Sequence, residues 1–528
     1  MKHEERTRGL LKRESAIPLL VLIAIIAGGT YVRFANLGRS DLRGDEVYHY
    51  LAAKSLQRGE GPVLPHGGSY TRGIEFSRLV AVSDRIFGDR ELAARMPSAV
   101  LGVINLILFA VIAWAIAGPW AAVWAVLLLA IYPEAVSWSR RARFYTYQLN
   151  LGLAALFAGW RALRCMGSEE VVSGSRVLWD WIWMGLAALF LLLGARVQLA
   201  TLSVGLGFAS CVAIAAAMNV RRHGWRSWRR NVPLQATALG LISVVGLLVA
   251  FPDLVGRLMG FAFSVPLWVQ VSESPLFYYY ALAEVFPLVI SASPVIFLAV
   301  WLRNFRLATF LFLWFAVPFL AHSLLFPFKG ARFILAATPA LFLATGIAAA
   351  MGFAWLRRVV AAEAGRLGSG PALQAVAARV AVALVALFVV LTTPALDWTR
   401  KVPGQRGNAA TRERWGVAGE IIQRVDPTGS VPVGSLDRLA PYMYFGRLDF
   451  YAGRVGRSPP GIPHLSTPEA IRGHFQGERS VLIAVDSARL RYGLIEPSLA
   501  NLLAGEGREL CDGQCGSLMV YRWDFGGE

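Results

Sequence analysis

Residues 17–33 read IPLLVLIAIIAGGTYVR, an apolar run with no charge until Arg33. A helix of about 17 to 25 such residues crosses the roughly 30 Å of hydrocarbon in a bilayer. Lys2, Arg6, Arg8, Lys12 and Arg13 precede the run, and no small-residue cleavage site follows it. It therefore reads as a retained first span with a cytoplasmic N-terminus. Working outward, a long segment without a span-length run comes next. Apolar runs then recur near 96–117, 119–138, 144–163, 180–196, 198–218, 233–252, 282–302, 307–326, 332–354 and 376–394. The expected fold is a mainly α membrane protein of about 11 transmembrane helices.

Composition agrees. Of 528 residues 56% are hydrophobic and only 16% charged, and the mean hydropathy is +0.50. That is too little charge to coat a soluble body of this size. The net charge of +18 comes from basic residues scattered between apolar runs, which excludes a nucleic-acid partner. With a cytoplasmic start, the loops near 161–178, 219–232, 303–306 and 356–375 face the cytoplasm, and each carries an arginine cluster. An odd number of spans places the C-terminus outside, in a multi-pass plasma (inner) membrane protein. The expected division is a membrane domain over 1–394, with its first outer loop at 36–95, and an extracytoplasmic α/β domain over 395–528. In that tail Val417 to Val425 and Leu494 to Leu503 read as helices, and Ser480 to Val485 and Leu518 to Trp523 as strands. Cys511 and Cys515 allow a local disulfide there.

Four stretches could carry chemistry, all on the outer side of the expected topology. In the first outer loop, Asp45 and Glu46 open a segment with apolar Val47, Tyr48, Leu51, Ala52 and Leu56, the pattern of an interfacial helix. The two carboxylates either cap that helix or do chemistry. A second interfacial helix is expected over Phe76 to Phe87, and its position in a long ordered loop suits function. Ser139-Arg140-Arg141-Ala142-Arg143-Phe144-Tyr145 runs against the positive-inside trend. Its guanidinium groups either fork around a lipid phosphate or reach ordinary headgroups. Lys329 and Arg332 form a second outer basic pair. No cofactor is required by this sequence. A divalent metal is open, with Asp45 and His49 one helical turn apart, although no tight ligand motif is present.

Taken together, these stretches resemble the GT-C superfamily of membrane glycosyltransferases, in the branch of protein O-mannosyltransferases and the lipid A aminoarabinose transferase. The likeness rests on the Asp45-Glu46 pair, on Ser139, Arg140, Ala142, Arg143 and Tyr145, and on Lys329, Arg332 and Phe333 leading to Pro339. Gly88 to Ser98 is similar to the family's entry into the second span. The resemblance covers about residues 17 to 355. It implies a polyprenyl-phosphate-sugar donor, Asp45 as general base with Glu46 as its partner, and Arg140, Arg143, Lys329 and Arg332 on the donor phosphate. His66, Tyr70 and Tyr145 are candidate substrate contacts. Leu64-Pro65-His66-Gly67-Gly68-Ser69-Tyr70 departs from the Pro-Pro-rich stretch of many relatives. The implied activity is an inverting transfer of a hexosyl or pentosyl group to a hydroxyl of a protein, glycolipid or polysaccharide of the cell envelope. The alternatives are a transporter or flippase of lipid-linked saccharides and a non-catalytic scaffold. A transporter would bring paired, broken helices in two repeated halves, and no repeat is visible in this sequence.

Overall fold

The structure is a computed structural model. It describes residues 2–164, 174–224, 231–250, 274–327, 329–366, 414–454, 458–459, 461–486, 489–490 and 493–525, with isolated positions between 370 and 396. The span expected at 376–394 and the start of the tail to 413 lie essentially outside the described residues. The chain forms two compact units. One comprises residues 1–34, 99–139 and 144–402; the other comprises 35–98, 140–143 and 403–528. Packing thus groups residues 35–98 with the C-terminal segment.

The first unit is helical: α1 (Lys2–Phe34), the bulk of α4 (Arg90–Ala117), α5 (Pro119–Ile131), α6 (Pro133–Ser139), α7 (Tyr145–Arg164), α8 (Gly174–Val197), α9 (Thr201–His223) and α10 (Val232–Ala250). Beyond them come the helices Phe305–Leu324 and Thr338–Arg366. Among the described residues six helices are long and apolar enough to cross a membrane, seven if α5 and α6 count as one bent span. The protein is accordingly a multi-pass membrane protein.

Two expected spans are broken where proline removes a backbone donor. The run 119–138 bends by 60° between α5 and α6, at Pro133. With no N–H on Pro133, the Leu129 carbonyl four residues earlier loses its helical partner. Arg33 of α1 supplies one instead, donating to the carbonyls of Leu129 at 3.5 Å and Ala130 at 3.3 Å. The run 282–302 divides into Phe277–Val285, Pro287–Ser291 and Ser293–Arg303, with Pro287 and Pro294 at or beside the breaks. Small residues let other helices meet closely, as membrane packing requires. A Cβ on Gly346 would collide with the Ala121 carbonyl oxygen, and one on Gly207 would meet the Leu313 carbonyl oxygen.

The second unit joins two loop helices to an α/β domain. α2 (Asp45–Gln57) and α3 (Ile74–Phe87) pack on each other. Gly44 turns the chain into α2 at φ 47°, a conformation that costs a side-chain-bearing residue energy. α3 buries Phe76 and Val80 but exposes Leu79, Val82, Ile86 and Phe87 as an apolar stripe. α2 differs from the one-sided helix expected, because Glu46, Val47, His49, Tyr50, Ala52, Ala53 and Ser55 are all buried.

The α/β domain is a five-stranded sheet in the order β2-β1-β3-β5-β4, with β1 (Val433–Ser435), β2 (Phe450–Tyr451), β3 (Ser480–Asp486), β4 (Arg508–Glu509) and β5 (Leu518–Asp524). β1 pairs in parallel with β2 and β3, while β5 is antiparallel to β3 and β4. β3 is buried throughout, as a strand covered on both faces must be. Leu482 and Ala484 pack with Trp415, Ala418 and Ile422 of one helix. Val481, Ile483 and Val485 pack on the opposite face with Ile471, Leu499 and Leu503. The helices and strands expected in the tail are present at Trp415–Val425, Pro497–Gly505, β3 and β5. Cys511 and Cys515 are disulfide-bonded, with Cα atoms 5.6 Å apart.

The helix Ala440–Tyr444 helps fasten this domain to the segment 35–98. The Leu42 N–H donates to the Tyr444 hydroxyl at 2.7 Å, and that hydroxyl donates to Glu91 at 3.1 Å. Arg90 lies over the Tyr444 ring and donates to the Met443 carbonyl. The Gly416 N–H donates to Asp41 at 2.8 Å.

Candidate active site

Two of the sequence motifs meet within the second unit. Asp45 and Glu46 stand in the first turn of α2, yet they do different things. Glu46 is buried and accepts four hydrogen bonds: from Arg95 Nε at 2.9 Å and Nη2 at 3.1 Å, from the Ala142 N–H at 2.8 Å, and from the Arg43 N–H at 3.2 Å. Burial pushes its carboxyl up, but the Arg95 guanidinium and these N–H donors hold it below the usual carboxylate range. Arg95 also donates to the carbonyls of Leu37, Ser40 and Asp41, so it wraps the segment before α2 around itself.

Through Ala142, Glu46 holds the segment 140–143 beside α2. Ser98 reinforces it, donating to the Arg143 carbonyl at 3.0 Å. The result sets Arg143 Nη1 2.6 Å from Asp45 Oδ2. The pair is asymmetric: the arginine side chain is 5% exposed and the aspartate 60%. A largely buried cation therefore lies against a carboxylate that remains open to solvent. Arg140 is half-buried on the same short segment.

Around this pair the polar groups are ordered. His49, one turn beyond Asp45, is enclosed; its Nδ1 lies 2.9 Å from Ser77 Oγ, and its Nε2 3.5 Å from the Tyr70 hydroxyl. Burial, with Arg143 and Arg72 nearby, keeps this imidazole neutral well below its ordinary pKa. The rings of Tyr70 and Phe76 pack edge-on against it. Asp45 and His49 thus engage different partners, and among the described residues no three His, Cys, Asp or Glu side chains gather as a metal site. His66 is half-buried in a tight turn where its Nδ1 accepts the Gly68 N–H. Asp84 of α3 binds Lys54, Gln57 and Tyr50 of α2 and locks the two helices.

The other motif residues belong to the first unit. Tyr145 is buried against Trp138 and Phe144. Lys329 is buried and its ammonium donates to the carbonyls of His322, Ser323 and Phe326, at and just beyond the C-terminus of the helix Phe305–Leu324. A cation there complements the helix dipole. Arg332 lies over the rings of Trp138 and Phe333.

Arg95 has no part in the site read from sequence. Its signal was the polar break Arg95-Met96-Pro97-Ser98 at the start of an apolar run, which by itself marks only a span entry. The Tyr444 and Asp41 attachments had no local signal.

No family model matches the chain, and no curated protein sequence does either. Solved structures do match. Apo ArnT from Cupriavidus metallidurans superposes with a TM-score of 0.61 at 15% identity, over 95% of this chain and 97% of that one. The same protein bound to undecaprenyl phosphate gives 0.59 at 16%, with the same coverage. The archaeal oligosaccharyltransferase AglB from Archaeoglobus fulgidus, in complex with an inhibitory peptide and a dolichol-phosphate, gives 0.60 at 14%, over 94% of this chain and 73% of that one. At these identities the likeness is one of fold, shared along nearly the whole of this chain with ArnT and AglB.

Proposed function

We propose that the chain is an inverting glycosyltransferase that moves a hexosyl or pentosyl group from a polyprenyl-phosphate donor to an acceptor hydroxyl at the outer membrane face. The observation that carries this reading is the exposed Asp45 carboxylate held 2.6 Å from the buried Arg143 guanidinium. Arginine binds phosphate with a planar fork, and an arriving donor phosphate would compete with Asp45 for Arg143. Asp45, relieved of its partner, then takes the proton of the acceptor hydroxyl. The new bond forms between the acceptor oxygen and the anomeric carbon as the bond to the phosphate oxygen breaks, and the lipid phosphate leaves with the electron pair. Arg143 and Arg140 stabilise its growing charge where water is scarce. Glu46 serves by position, through Ala142 and Arg95.

The fold relatives support a lipid-phosphate substrate, since ArnT was solved with undecaprenyl phosphate and AglB with dolichol-phosphate. Lys329 and Arg332 keep a phosphate-binding role, and His66, Tyr70 and Tyr145 a substrate-binding role, as proposals carried by the motifs. The topology proposed is about 11 spans with a cytoplasmic N-terminus and an extracytoplasmic tail. The Cys511–Cys515 disulfide supports an oxidising compartment for that tail. The acceptor is a protein, glycolipid or polysaccharide.

The test is release of free lipid phosphate and transfer of label from radiolabelled polyprenyl-phosphate sugars, with the chain in nanodiscs. The native chain turns over at least one donor, and Asp45→Asn lowers turnover roughly 100-fold or more. Full activity in a folded Asp45→Asn chain removes Asp45 from the role of base. Donor binding without any release points instead to transport of the lipid-linked saccharide.

A further inference from the structure

The sheet of the α/β domain reverses its strand order. From β1 the chain passes to β2 on one side, then returns across β1 to β3 on the other. In open sheets of parallel strands, ligands bind outside the carboxyl ends at such a reversal, because the loops there diverge and leave a crevice. The residues at this edge are polar. Asp437 and Arg438 follow β1, Asp486 ends β3, and Arg489 lies just beyond it.

The four are not equivalent. Asp437 accepts from the Leu439 N–H at 2.9 Å and the Ala440 N–H at 2.8 Å, and binds Arg489 Nη2 at 2.6 Å. It builds the edge and neutralises Arg489. Asp486 is buried. Arg438 is held by a ring: its guanidinium lies 5.2 Å from the centre of Tyr451 on β2, and it is half-buried. A guanidinium stacked on an aromatic face keeps its N–H edge for a ligand.

This strand edge adjoins the candidate active site within the same unit. The helix Ala440–Tyr444, which starts two residues after Arg438, packs on α2. Burial, with the Asp437 and Asp45 carboxylates nearby, pushes the Tyr48 phenol above its ordinary pKa. Burial, and to a lesser degree Arg438, lowers the pKa of His66. Tyr48 is three residues beyond Asp45, so the two share a face of α2. Its ring lies 5.2 Å from that of Tyr70.

We infer that this strand edge is the acceptor subsite, in which Arg438, lying over the Tyr451 ring, receives an anionic group of the acceptor, phosphate or carboxylate. The acceptor hydroxyl is thereby offered to Asp45, so the assignment rests on Asp45 being the base.

Two measurements on the full-length chain in nanodiscs test it. The first needs no turnover: hydrogen exchange is followed with and without inorganic phosphate, and with acetate. Phosphate or acetate slows exchange over 436–440 and 45–50 in the native chain and in Asp45→Asn; Arg438→Lys keeps part of the effect and Arg438→Ala loses it. No protection at 436–440, or equal protection in Arg438→Ala, overturns the subsite. The ion giving the stronger protection identifies the acceptor group. The second compares sugar acceptors identical except for the favoured anion. The native chain prefers the anionic acceptor in kcat/KM, and Arg438→Ala lowers that preference at least about 10-fold, the loss of one charge-assisted hydrogen bond. An unchanged preference overturns the assignment. If the native chain releases lipid phosphate from no donor, the transferase reading has failed, and the exchange measurement still decides the anion site alone.

Discussion

Glu46→Gln separates a residue that shapes the site from one that reacts. The carboxylate binds four donors, and its ion pair with Arg95 is 9% exposed on the glutamate and 4% on the arginine. Breaking a buried pair of this kind costs about 3–5 kcal/mol, since the partner charge is left uncompensated. An amide keeps one oxygen for the Ala142 N–H but turns an N–H₂ group toward Arg95 or Arg43, both donors. Arg95 also retains the carbonyls of Leu37, Ser40 and Asp41. The lower end of the range therefore applies, and about 3 kcal/mol is roughly a 100-fold change in an opening equilibrium. The assay is hydrogen exchange of the Ala142 amide, read beside turnover: Glu46→Gln speeds exchange roughly 100-fold and lowers turnover as Arg143 leaves Asp45. The sign of the pH dependence follows. The folded-state pKa of Glu46 lies below the ordinary value, so its stabilisation is complete above the unfolded pKa, near 4.3, and disappears as pH falls through the folded value. Native Ala142 loses protection over that acid range, whereas Glu46→Gln shows no such step. Unchanged exchange and unchanged turnover in the variant refute the clamp. Lost turnover with unchanged exchange assigns Glu46 a direct chemical role.

Other perturbations follow from the same packing. Tyr444→Phe strands the Leu42 N–H and removes a donor to Glu91; a cost of about 1–3 kcal/mol should speed proteolysis within 37–43, and an unchanged rate argues that the attachment is not holding the loop. Asp426 is raised by burial but lowered further by the Val431 and Ser430 N–H groups and Arg447, to about 2. Its stabilisation is present above the unfolded pKa and lost as pH falls toward 2. Acid unfolding monitored by tryptophan fluorescence should show less pH dependence in that window for Asp426→Asn. Gly346→Val should abolish the monodisperse folded peak in size exclusion, because the branched side chain meets the Ala121 carbonyl. Gly352→Val on the same helix, with open space around its Cβ, should not.

Legibility varied with the range of the interaction. α2 and α3 were visible because hydrophobic periodicity is a property of neighbours. The tail's helices and strands were visible for the same reason. Pro133, Pro287 and Pro294 stood in plain view, yet a twenty-residue hydropathy window averages over them and returns one span where the structure has a bend or two breaks. Glu46 and Asp45 were read as one acidic pair. Successive helix positions point about 100° apart, so which carboxylate is buried depends on what packs against α2. Lys329 read as a phosphate-seeking cation, and its ammonium donates to carbonyls at a helix end seven or fewer residues away.

The sequence by itself determined the class of molecule. Apolar runs, basic loops and the acidic pair are sums over adjacent residues, and solvent partitioning acts on such sums directly. The tertiary structure alone decided which charges are spent and which stay open. Glu46 meets Arg95 across 49 residues and Ala142 across 96, while Leu42 meets Tyr444 across 402. Hydrogen bonds act over about 3 Å, so these pairings exist only once the chain has brought distant segments together, and with them comes the exposed aspartate on its buried arginine.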